Sequence, residues 1–256
     1  LLRAFLFGVP LGLALGLKLT LISFCAAAVL AWLGTSGSLV RRLLLAFAFG
    51  CGLTLGMVLT QGYWMWFLWT HYQNPIFPYF NQYFASPYGA LTSARDTQFI
   101  PGDWREALLF PWSFTMNPKR AGEILWQDWR ILTLYLLLPL CSLIAVVVGR
   151  RNDKTLAIAE PLAVRFLLWF AALAYLGWLA LFSIYRYLIP LEMLAPLLIV
   201  LTLGLLPLQP TVKWLAAAAL LLVIAAGVRG GDWGRVSWSE RFIQVLAPAV
   251  PYPEDT

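Results

Sequence analysis

Long apolar runs, separated by turns whose basic residues fall on every second gap, dictate a chain that lives in lipid. Hydrophobic residues make up 61% of the sequence and the mean hydropathy is +0.76. A water-soluble domain of this size cannot hide so much apolar surface, whereas bilayer hydrocarbon solvates it directly. The runs are continuously apolar and lack the period-two alternation of barrel strands, so the backbone must satisfy itself as helices. The expected fold is all-α, a polytopic helical bundle forming a single transmembrane domain over residues 1–256.

At about 20 residues per crossing, seven runs qualify: near Leu1–Gly16, Leu19–Leu33, Leu43–Thr70, Ile131–Val148, Phe166–Ile184, Leu188–Leu206 and Trp214–Val228. The first two are short, and Lys18 between them marks either a hairpin that stops short of crossing or a lysine that snorkels. Arg3, Arg41, Arg42, Arg150, Arg151, Lys154, Arg165 and Lys213 collect on one side, which the positive-inside bias makes cytoplasmic. The chain's N-terminus is then cytoplasmic and its C-terminus external. Outside lie a loop over about 71–130, the Tyr185–Tyr187 turn and a tail over about 229–256. The net charge of +6 reflects this bias; no loop carries the dense basic run of a nucleic-acid footprint. Cys25, Cys51 and Cys141 fall in separate runs, with no disulfide or metal-binding spacing.

Gly8, Gly12 and Gly16 in the first run, and Gly52 and Gly56 in the third, recur every four residues, a spacing that lets helix backbones touch. Pro10 is expected to kink the first helix. The external loop, roughly sixty residues long, exceeds ordinary connector length. Its many Trp, Tyr and Phe side chains suit the headgroup layer. Asp103-Trp104-Arg105-Glu106 has capping-box spacing and predicts a short interfacial helix from Trp104 to Pro111. Ser237-Trp238-Ser239-Glu240 predicts a second one over Arg241 to about Leu246.

Candidate binding chemistry gathers at the external surface. Tyr185-Arg186-Tyr187 sets a guanidinium between two phenols just before Pro190 opens the next helix. Such a fork suits a phosphate at headgroup depth, and equally an aromatic-belt anchor. Glu192, one turn further into lipid, needs a counter-charge, for which Arg186 or Lys18 is the expected partner. The second constellation is His71 with the strip Asn74-Pro75-Ile76-Phe77-Pro78-Tyr79-Phe80-Asn81, where two prolines predict an extended path offering His71, Asn74 and Asn81 to a headgroup or sugar.

Three short motifs resemble the C-terminal part of bacterial GT-C-type integral membrane glycosyltransferases: Gly16-Leu17-Lys18-Leu19-Thr20, Asn74-Pro75-x-Phe77-Pro78-x-Phe80-Asn81, and Arg186-Tyr187-x-x-Pro190. The resemblance runs over roughly Gly8 to Leu206. It implies a bacterial cytoplasmic (inner) membrane protein that takes a sugar from a polyprenyl-phosphate donor at the external face, with membrane lipids around it and no resident cofactor. Arg186 and Lys18 would hold the donor phosphate while Tyr187 shapes the pocket. Such enzymes carry their catalytic acid in an early external loop, which this chain lacks. The expectation is that this portion lies upstream of Leu1, or that the chain is a non-catalytic subunit or scaffold of a larger membrane complex. Asp96, Asp103, Glu106, Glu123 and Asp128 are the external acids present, and they are catalytic candidates only by default.

Overall fold

A computed structural model describes residues 1–122, 125–148 and 159–231. Glu123, Arg150, Arg151, Lys154 and the expected helix after Ser237 lie outside the described residues. Among the described residues there are nine α-helices and no strand, beyond a single bridge between Gln127 and Arg229. The helices are α1 (Leu2–Leu17), α2 (Ile22–Ala31), α3 (Leu39–Tyr72), α4 (Asn81–Phe84), α5 (Trp104–Met116), α6 (Arg130–Val147), α7 (Pro161–Leu181), α8 (Ile189–Leu203) and α9 (Pro210–Gly227). Four of them, α3, α6, α7 and α9, are long and apolar enough to cross a membrane. The other expected spans are apolar but shorter: α1, α8, and α2 with the 3-10 turns that flank it over Leu19–Gly34.

The glycines decide how the first three helices pack. An added Cβ on Gly8 would lie 2.9 Å from Leu53 N, and one on Gly56 would lie 2.7 Å from Leu13 N. Gly12 abuts the Leu53 carbonyl, Gly52 the Phe5 carbonyl, and Gly16 the Thr60 hydroxyl. Thr60 Oγ1 donates to Leu13 O at 3.2 Å and to Gly56 O at 3.1 Å. Contacts that climb both helices in the same order make α1 and α3 parallel, with backbone against backbone. The chain between them must therefore run back the other way, and α2 does so, packed chiefly against α7. Small residues carry that contact too, since Gly177 faces Ser23, and Ala27, Ala28, Ala171 and Ala174 are buried. α1 runs through Pro10 as one continuous helix.

α3 outgrows its predicted limits. Ser38 Oγ accepts from Arg41 N, starting the helix four residues early, and Gln73 closes it in a left-handed conformation. Its 34 residues span about 51 Å at 1.5 Å per residue, well beyond the roughly 30 Å of a hydrocarbon core. The surplus turns carry Tyr63, Trp64, Trp66 and Trp69, all exposed.

The long loop folds as a layer over one end of the bundle. Asp103 Oδ1 accepts from Glu106 N at 2.8 Å, and Glu106 Oε2 accepts from Gly102 N at 2.6 Å, so the capping box forms with its return bond one residue early. Pro111 does not interrupt α5, which continues to Met116. Packing offsets the missing N–H: Phe110 and Phe114 are buried with ring centres 6.0 Å from Trp178, and Phe114 lies 5.6 Å from Tyr185. Each such burial contributes about 1.5–3 kcal/mol. On the outer face Trp104, Leu108, Leu109 and Trp112 are exposed, an apolar surface turned away from the bundle.

Glu106 also joins Arg120, whose Nη1 donates to Phe99 O at 3.1 Å. The Gly102 amide, and then the Arg120 guanidinium, hold its carboxyl below the usual carboxylate range. A carboxyl lowered on folding stabilises the layer above its unfolded pKa of about 4.3, and that contribution fades as pH falls through the lower folded value. Helicity and Phe/Trp fluorescence of the solubilised protein should therefore drop on acidification below that point. Glu106→Gln should already be weaker at neutral pH and show a shallower acid loss. An identical acid profile for both proteins would remove Glu106 from the layer's stability.

Candidate anion site at one end of the bundle

Lys18 ends α1. Its backbone is extended, and its N–H closes the helix on Ala14 O at 2.9 Å. Its side chain is exposed and reaches across to the turn between α7 and α8, where Nζ stands 5.4 Å from the ring centre of Tyr187. Arg186, also exposed, places Cζ 5.3 Å from the same ring. Two cations separated by most of the chain thus flank one phenol. Each gains about 0.5–1 kcal/mol from the ring, while like charges so close repel. Among the described residues neither has a carboxylate within ion-pairing distance. Exposed cations of this kind have the chemistry to bind an anion such as a phosphate.

The turn that presents Arg186 is held from several sides. Ser183 takes a left-handed φ of 52°, ending α7. The fully buried Trp178 donates its indole N–H to Ile184 O at 2.9 Å, and Tyr185 N donates to Ala121 O at 2.6 Å. Burial, with the Glu192 and Asp128 carboxylates nearby, pushes the Tyr185 phenol well up, so it stays neutral. Tyr187 rests edge-on against Phe182 with centres 5.4 Å apart. Pro190 sits in the first turn of α8, where its missing N–H costs nothing.

Glu192 pairs with neither Arg186 nor Lys18. Its partner is Arg130, the first residue of α6, which also binds Asp128. Arg130 Nη1 donates to Glu192 O at 2.9 Å and Nη2 to its carboxylate; Nε donates to Asp128 Oδ2 at 2.8 Å. Asp128 Oδ1 accepts from Arg130 N at 2.8 Å, so the same carboxylate is tied to the backbone at the start of α6. The Asp128 side chain is fully buried and that of Glu192 is 11% exposed. A short-range signal for Arg130 existed in Asp128-Trp129-Arg130, an acid two residues ahead of a base at a helix start. Nothing local pointed from there to Glu192, 62 residues away.

The Asn74–Asn81 strip departs from expectation as well. It is a chain of turns with a cis Phe77–Pro78 bond and left-handed Phe80 and Ala85, not an extended path. Asn74 and Asn81 are buried at 0% and 1% exposure. Asn74 Nδ2 donates to Tyr79 O at 3.0 Å, and its Oδ1 accepts from Ile76 N at 3.0 Å. Asn81 Nδ2 donates to Ser86 O and Gly89 O at 3.0 Å and to Ala90 O at 3.1 Å, while Oδ1 accepts from Ser86 N at 2.9 Å. Both amides are spent on pinning the loop, which leaves them nothing to offer a ligand. His71 is exposed in the last turn of α3, stacked on Phe67 at 4.1 Å with Nδ1 2.9 Å from Phe67 O.

The described acids of the loop layer are largely committed. Asp103 caps α5, Glu106 binds Arg120, Asp128 binds Arg130, and Asp96 accepts from Gln98 N at 3.0 Å. Among the described residues no cluster of His, Cys, Asp or Glu has the makings of a metal site. No protein-family model matches the chain, and no curated protein and no solved structure matches it either.

Proposed function

We propose that the chain is a membrane glycosyltransferase-like protein whose Lys18, Arg186 and Tyr187 hold the phosphate of a polyprenyl-phosphate sugar at the external membrane face. The observation that carries this reading is the pair of exposed cations on a single tyrosine ring at 5.4 and 5.3 Å, with no carboxylate paired to either among the described residues. In this reading the bundle crosses the bilayer seven times, with α1, α2 and α8 as short spans and the loop layer outside. The parallel pairing of α1 with α3 supports it, because Lys18 then shares a level with the layer. Arg130 occupies Glu192, so among the described residues Arg186 has no competing carboxylate. As the sugar leaves, charge builds on the departing phosphate, and the two cations stabilise that charge.

A second reading rests on the commitment of the external acids to caps and ion pairs. No described carboxylate accompanies Lys18 and Arg186, so the chain could hold the lipid phosphate as a non-catalytic subunit of a larger complex. Both readings require the anion site; only the first requires turnover.

The test is binding and transfer by the protein in nanodiscs. Polyprenyl phosphate should be retained over uncharged polyprenol, and Lys18→Ala with Arg186→Ala should weaken retention on the order of a hundredfold, two charge-assisted contacts being lost. Arg186→Ala alone should abolish sugar release from a polyprenyl-phosphate donor while helicity is unchanged. Retention without release supports the subunit reading. Equal retention of phosphate and alcohol would remove the anion site from both.

A further inference from the structure

At the end of the bundle opposite Lys18 and Arg186, a cavity of about 600 Å³ opens between α6 and α7. The two helices approach near the loop layer, where the Tyr135 and Tyr175 rings stand 5.9 Å apart. Towards the other end the facing side chains shrink to Ser142, Ala145 and Ala172, too small to close the gap. Leu138, Leu168 and Leu205 complete apolar walls, and Arg165 stands at the cavity with Trp169 one turn beyond it. The volume falls within the roughly 300–1,000 Å³ range of ligand pockets.

Arg165 is exposed, and among the described residues it has no carboxylate partner. The nearest described acid in sequence, Glu160, is occupied in capping α7, its Oε2 accepting from Ala163 N at 2.9 Å. The end at which Arg165 stands also carries Arg3, Arg41 and Arg42 at the matching ends of α1 and α3. Anionic lipid accumulates beside such residues. An apolar cleft beside an exposed guanidinium matches the chemistry of one ligand, with hydrocarbon for the cleft and phosphate for the fork.

We propose that this cleft is a binding site for an anionic glycerophospholipid of the leaflet at that end, with an acyl tail between α6 and α7 and the phosphate on Arg165. The site is separate from the Lys18–Arg186 pair and does not depend on the function assigned to it. The lipid completes the α6–α7 contact that short side chains leave unmade, and locks the two helices.

The experiment is native mass spectrometry of the full chain released from nanodiscs holding equal phosphatidylcholine and phosphatidylglycerol. The unmodified protein should retain phosphatidylglycerol preferentially. Arg165→Gln should reduce that preference on the order of tenfold, and Ala172→Phe, which fills the cleft and keeps the charge, should release the lipid. Arg3→Gln, a cation at the same end but outside the cleft, should change nothing. Equal retention of both lipids by the unmodified protein overturns the proposal even if a variant misfolds. So do retention unaltered by Arg165→Gln, displacement of phosphatidylglycerol by polyprenyl phosphate, and a lipid-free dimer, which would put a second copy in the cleft.

Discussion

Replacing Arg130 with alanine should lower stability by about 3–5 kcal/mol, the range found when one member of a buried ionic group is removed. The cause is what remains. Asp128 is fully buried and Glu192 nearly so, and both lean on the same guanidinium. Without it two carboxylates face each other in a poorly solvated pocket, and the Glu192 carbonyl loses its donor. Denaturing-detergent titration followed by helicity would measure the loss. Glu192→Gln placed on top of Arg130→Ala should recover part of it by removing one stranded charge, a sign that simple loss of contacts cannot produce. The same change should loosen the turn at Arg186, because the segment that Arg130 fastens to α8 follows Ala121, whose carbonyl holds Tyr185 N. Anion retention should then fall even where the protein stays folded. A cost below about 1 kcal/mol would rank the group with ordinary solvated ion pairs.

Why the pairing of Arg130 with Glu192 was invisible in the sequence while the glycines were plain comes down to range. Apolar periodicity and four-residue glycine spacing are local properties, and the helices and the α1–α3 contact follow from them. Asp103 and Glu106 form a cap within four residues, and that also reads directly. Glu192 announced its need for a cation through burial, but the choice among Lys18, Arg130 and Arg186 depends on which helix ends share a level, a property of the assembled bundle. Asn74 and Asn81 misled for a different reason. An amide that can face a sugar can equally bind its own backbone, and in a turn-rich loop nearby carbonyls win on entropy. Pro111 broke a propensity rule because Phe110 and Phe114 anchor both sides of it. Tyr187 gathering both Lys18 and Arg186 required the parallel α1–α3 pair, which carries Lys18 to the level of the α7–α8 turn.

That dependence makes the glycine interface the second large lever. Gly12→Leu places a side chain where the α3 backbone already is: Leu53 C and Cα lie 2.7 and 2.9 Å from the position of the added Cβ. A neighbouring side chain could rotate away, but a helix backbone cannot, so α1 must shift bodily off α3. The expected cost is about 1–3 kcal/mol from overpacking, with further loss as Gly8 and Gly16 come out of register. Gly50→Ala in α3 supplies the contrast, because nothing lies within 4 Å of its added Cβ. There the change should be neutral or stabilising by about 0.5–1 kcal/mol through helix propensity. Gly12→Leu should also carry Lys18 away from Tyr187 and weaken polyprenyl phosphate retention, whereas Gly50→Ala should leave retention intact. Equal stability of the two variants would mean that α1 and α3 are not in backbone contact, and the cation pair would lose the scaffold that brings it together.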